Sequence, residues 1–119
     1  KAAKAGENFP TTSGEQVRDW IYVDDVADGL IAAARAANVA GQTIELGTGI
    51  GTPLKDVVAR VFQLAQKPAP SGQPMFGALP QRPGEVMSQI ADADRTERLT
   101  GWRAKIGLDE GLRTILVNG

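Results

Sequence analysis

The 119 residues are enough for one small domain, and a net charge of −1 leaves no basic stripe for nucleic acid and no charged interaction tail. With neither cysteine nor histidine, disulfides, thiolate metal sites and the commonest general base are excluded, so any chemistry falls to Asp, Glu, Lys, Arg, Tyr, Ser or Thr. No apolar run approaches the ~18 residues of a membrane span.

No signal-peptide core follows residues 1–6, and without an initiator Met they read as the continuation of a longer chain. A short strand is expected at 9–13, then a turn at Ser13, Gly14 and Glu15. Residues 17–23 have the β-branched and aromatic density of a strand, with Tyr22 facing the core. Asp24 is expected to cap an amphipathic helix over 25–37, on which Val26, Leu30, Ile31 and Ala34 fall at helical spacing. Asn38 and Gly41 stop it. An apolar strand at 42–46 runs into the glycine turn of Gly47, Gly49 and Gly51. Thr52 as cap and Pro53 at the first helical position open a second helix over 53–66. Its buried face is expected from Leu54, Val57, Val58, Val61, Leu64 and Ala65. A turn-rich linker covers 67–74, an extended stretch 75–79, a polar loop 80–85 and a strand 88–91. Asp92 caps a short helix over 92–99 that Gly101 stops, Trp102 anchors the packing behind it, and a last helix spans 108–116.

Three stretches in this order resemble one family. Gly14, Gln16, Arg18, Asp19, Trp20, Ile21, Val23 and Asp25 follow the pattern G-x-Q-x-R-D-(aromatic)-I-x-V-x-D. Ile44, Leu46, Gly47 and Gly49, followed by Leu54 to Val58, are similar to Y-N-I-G-x-G…S-x-x-E-V, with Glu45 in place of the usual Asn. Arg82, Gly84 and Glu85, then Asp92, then Leu99, Gly101 and Trp102, then Leu108, Glu110, Gly111 and Leu112 resemble R-x-G-(D/E)…D-x-x-(K/R)…L-G-W-x-P…L-x-E-G-L. Thr100 is an extra residue within the last pattern, and its Pro is missing. These motifs, spread over residues 6–117, are those of the extended short-chain dehydrogenases/reductases, the sugar-nucleotide epimerases, dehydratases and 4-ketoreductases. The 76–80 stretch is most similar to members that dehydrate or 4-keto-reduce nucleotide sugars.

The resemblance implies an α/β fold: the C-terminal portion of a Rossmann-type extended short-chain dehydrogenase/reductase, with short strands and three to four helices. Residues 1–119 would be a single substrate-side unit, its N-terminal dinucleotide-binding part absent, in the cytoplasm. The implied ligand is a nucleotide-diphosphate sugar. The family holds the diphosphate with the two arginines whose positions here are Arg18 and Arg82; a guanidinium pairs well with phosphate oxygens. Glu85 stands where the family has an acidic residue near the nucleotide end, either as a ribose contact or as a loop-fixing ion pair.

Family chemistry uses NAD or NADP with a Tyr-x-x-x-Lys pair. The single tyrosine, Tyr22, has Val26 four residues on, so no catalytic, cofactor-binding or metal-binding residue is expected in this chain. Asp24 and Asp25 read as helix-capping anions rather than a catalytic pair. Gly47 to Gly51 reads as a structural turn, since G-x-G-x-G is not the dinucleotide fingerprint. Exposed apolar faces and an unpaired edge at 42–46 imply self-association or docking onto a Rossmann half. The alternative is a non-enzymatic, self-associating α/β module or a complementing subunit.

Overall fold

The computed structural model describes residues 1–65 and 72–118; most of the expected 67–74 linker and the end of the 53–66 helix lie outside them. The elements in chain order are α1 (Ala2–Ala5), β1 (Phe9–Pro10), β2 (Val17–Asp19), α2 (Val23–Arg35), β3 (Gly51–Pro53), α3 (Leu54–Ala65), β4 (Pro74–Met75), β5 (Ser88–Gln89), α4 (Ala93–Thr100) and α5 (Leu108–Asn118). The α/β class and the four long helices agree with the sequence; α1 was not anticipated.

β2 is the centre of a three-stranded sheet in the order β3-β2-β5. It pairs antiparallel with β3, Arg18 opposite Thr52, and parallel with β5, Arg18 opposite Gln89. A separate parallel pair joins β1 to β4. The helix start at Leu54 explains why Thr52 does not cap α3. Thr52 and Pro53 are still in β3, and the first free N–H groups of α3, those of Leu54 and Lys55, reach the carbonyls of Gln16 and Gly14 at 2.9 and 2.8 Å. Gly14 has φ +71°, and a Cβ there would come within 2.9 Å of the Lys55 nitrogen, so glycine permits the approach.

The expected strand at 42–46 forms no ladder among the described residues. Two of its carbonyls are met by side chains instead: the Thr96 hydroxyl donates to the Glu45 carbonyl at 2.7 Å, and Arg95 donates to the Thr43 carbonyl. α2 begins at Val23 with Tyr22 at its cap position, and no side chain caps it. Asp24 is therefore not the cap, Tyr22 is not in mid-strand, and the helix ends at Arg35 rather than at 37. Asp92 does cap α4, accepting the Arg95 N–H at 3.0 Å, and Gly101 closes it at φ 72°.

The buried apolar residues are Ala3, Val57, Phe62, Ala93 and Trp102. Phe62 joins the buried side of α3 instead of Leu54, Val58, Val61, Leu64 and Ala65, which are half-covered. Trp102 packs over Gly29 of α2; a Cβ on Gly29 would stand 3.0 Å from the indole ring. The body measures 53 × 35 × 16 Å. The molecule is a flattened, elongated body. Its radius of gyration of 16.9 Å exceeds the about 13.5 Å of a compact chain this long.

Candidate functional site

The site is built on β2. Arg18 and Asp19 are neighbours on this strand and both border one open cavity, but the two do different work. Arg18 lines an open cavity of about 390 Å³ with Glu45, Leu46, Gln89 and Ile90 among its walls. Its Nη1 donates to the Val17 carbonyl at 2.9 Å, and its Nη2 lies 3.4 Å from Glu85 Oε1. Glu85 is held from two more sides, by Gln16 Nε2 at 3.3 Å and Gln81 Nε2 at 2.9 Å. Two motif pieces 67 residues apart thus meet at one ion pair.

Arg82 is exposed at the start of the 82–85 turn, and among the described residues its guanidinium makes no hydrogen bond. Of the three residues expected at the ligand, the fold joins Arg18 to Glu85 and leaves Arg82 reaching into solvent. Gln16, 6% exposed, and Gln81 are the partners the sequence did not single out. Gln16 stands inside the first motif, but the pattern does not say which loop it would touch.

Asp19 has the other role. Its Oδ1 accepts the Thr48 hydroxyl at 2.6 Å and the Thr48 N–H at 2.8 Å; its Oδ2 accepts the Gly49 N–H at 2.8 Å and the Ala91 N–H at 3.3 Å. Burial pushes the Asp19 carboxyl pKa up, but the hydrogen bonds from Thr48, Gly49 and Ala91 outweigh it and hold the group below its ordinary value. Gly47 makes the approach possible, since a Cβ there would come within 2.5 Å of Asp19 Oδ2. The glycine turn is therefore a structural anion nest already filled by the chain's own carboxylate. The turn does not fit a dinucleotide: its Thr48 and Gly49 N–H groups, which would hold a pyrophosphate, are used, and a second anion would meet Asp19.

Asp25, 3% exposed, accepts the Lys105 and Ile106 N–H groups at 3.0 and 2.8 Å. It does not cap α2; it fixes the 105–106 loop. Trp20 donates from its indole N–H to the Thr52 carbonyl at 3.1 Å. It also lines a second cavity of about 390 Å³ with Lys105, Ile106 and Leu108, which contains none of the expected site residues. Among the described residues no group of three or more Asp and Glu is placed to hold a metal ion, and no helix is long and apolar enough to cross a membrane.

Residues 1–115 match the family model described as GDP-mannose 4,6 dehydratase. A UDP-glucose 4-epimerase of Cyamopsis tetragonoloba is 36% identical over 112 residues, which cover 91% of this chain and 30% of that protein. One from Pisum sativum is 37% identical over 113 residues, 91% of this chain and 31% of its own length. The crystal structure of Bifidobacterium longum UDP-glucose 4-epimerase in complex with NAD+ and UDP superposes with a TM-score of 0.76 at 27% identity, covering 97% of this chain and 36% of that one. The Thermotoga maritima UDP-glucose 4-epimerase with UDP-glucose gives a TM-score of 0.74 at 27% identity, over 98% and 36%. The chain thus spans about a third of the length of the relatives it matches. Together with the three ordered motifs built around β2, these likenesses show that the chain belongs to the nucleotide-sugar epimerase/dehydratase family of extended short-chain dehydrogenases/reductases and corresponds to the C-terminal portion of its longer members.

Proposed function

We propose that residues 1–119 are the substrate-side unit of an NAD(P)-dependent nucleotide-sugar epimerase, dehydratase or 4-ketoreductase. The unit grips the diphosphate of a nucleotide sugar through Arg18 and Arg82. The observation that carries this reading is Arg18, held in the wall of an open cavity with the R-x-G-E turn folded against it. Arg82, exposed and without a hydrogen-bond partner among the described residues, is available as a second clamp from that turn. Glu85 has a carboxylate suited to ribose hydroxyls.

Catalysis of hydride transfer falls outside this unit. The chain has one tyrosine and no Tyr-x-x-x-Lys pair, and its glycine turn is filled by Asp19. NAD or NADP belongs to the remainder of the longer family members, and this chain holds neither alone. Calorimetry with UDP-glucose tests the grip: Arg18→Ala and Arg82→Ala should each weaken binding by roughly ten-fold or more, in keeping with a charged hydrogen bond of ~1.5–3 kcal/mol. Unchanged affinity in both variants, or NADH formation by the pure chain, would refute the reading.

A second reading is favoured by the exposed α2 stripe, where Val23, Leu30 and Ile31 are 69%, 60% and 50% accessible. On it, the unit is a self-associating module, or a complementing subunit that docks onto a separate Rossmann chain.

A further inference from the structure

Arg18 is already in contact with an anion. Its Nη2 lies 3.4 Å from Glu85 Oε1, and the two side chains keep 26% and 20% of their accessibility. The contact is longer than the roughly 2.7–2.9 Å of a strong charge-assisted hydrogen bond. It is partly open to water, so the cost of parting the two groups is modest. Glu85 nevertheless has a fixed place, because Gln16 and Gln81 hold one carboxylate oxygen each. The Gln16 amide is set by this arrangement: Nε2 faces the carboxylate, and Oε1 is buried with no donor. A phosphate oxygen approaching the same guanidinium edge meets a like charge a few ångströms away, which favours one anion or the other but not both.

We propose that Glu85 is a built-in counter-anion that occupies Arg18 until a diphosphate displaces it, so that binding at this site is an exchange of carboxylate for phosphate. This rests on the reading that Arg18 holds the diphosphate. Once released, Glu85 is free to take the ribose hydroxyls, and Gln16 is free to turn its unpaired oxygen. The exchange makes diphosphate affinity depend on the charge at position 85 and not on the side chain's presence.

Inorganic pyrophosphate is the discriminating probe, because it has no ribose to lose when Glu85 is changed. In calorimetric titrations of the full chain, Glu85→Gln and Glu85→Ala should each bind pyrophosphate roughly three- to five-fold more tightly than the parent, the worth of one partly exposed ion pair. Glu85→Asp keeps the charge and should keep the parent affinity. Combining Arg18→Ala with Glu85→Gln should remove the gain. Weaker or equal binding in both neutral variants, with Arg18→Ala still harmful, overturns the exchange and leaves the diphosphate reading standing. Tightening in Glu85→Asp equal to that in Glu85→Gln assigns the effect to a loosened turn and also overturns it. If Arg18→Ala leaves pyrophosphate affinity unchanged, the diphosphate reading falls and the exchange with it.

Discussion

Asp19 ties three segments together: β2, the turn after residue 46, and the chain at Ala91. Replacing it with Asn removes the charge and points an amide NH2 at N–H groups. Asp19→Asn should therefore lower stability by about 2–3 kcal/mol at neutral pH, the scale of hydrogen bonds to a charged group. The pH dependence has a definite sign. The folded pKa lies below the unfolded value, so the contribution is complete above about pH 4 and is lost as pH falls through the folded pKa. Urea unfolding of parent and variant should show a gap that is constant near neutrality and narrows below about pH 4; a gap unchanged in acid would contradict this role. The residue was visible in the sequence only as the D of R-D. Its function needed Gly47 and Thr48, 29 residues away from it in the case of Thr48, and no local pattern links them. Asp25 shows the same limit from the other side. An acid at a helix start suggests a cap, but here its partners are the N–H groups of residues 80 and 81 positions on.

Among the elements, helices were legible because their signals are local. Asp92 and Gly101 mark the ends of α4 through bonds made within a few residues. The 42–46 strand was not, because a ladder requires a neighbouring strand, and among the described residues this stretch meets side chains of α4 at the Thr43 and Glu45 carbonyls instead. Gly29 shows how closely these elements meet. Glycine inside a helix costs about 1 kcal/mol relative to alanine, yet a Cβ there would lie 2.8 Å from Leu46 and 3.0 Å from the Trp102 ring. The clash outweighs the helix propensity. Gly29→Val should lower the midpoint of thermal unfolding and increase Trp102 solvent exposure by fluorescence quenching. A variant as stable as the parent would show that α2 does not pack on Trp102 as described.

Over the molecule as a whole much apolar surface is uncovered, with Met75, Leu79, Val86, Ile115 and Val117 among the exposed side chains. The stripe of Val23, Leu30 and Ile31 on α2 is its clearest example. The chain should therefore self-associate: sedimentation velocity should show a weight-average mass that rises with concentration, and Leu30→Glu should bring it back toward the monomer. A monomer throughout the concentration range would contradict that expectation. Family membership was legible from motif order, whereas the pairing of Arg18 with Glu85 and the isolation of Arg82 emerged only from the fold. If the two arginines read a diphosphate, comparing UDP with uridine isolates that group. UDP should bind more tightly than uridine, and the difference should collapse when Arg18→Ala and Arg82→Ala are combined. Equal binding of UDP and uridine by the parent chain, or a difference that survives both substitutions, would contradict it.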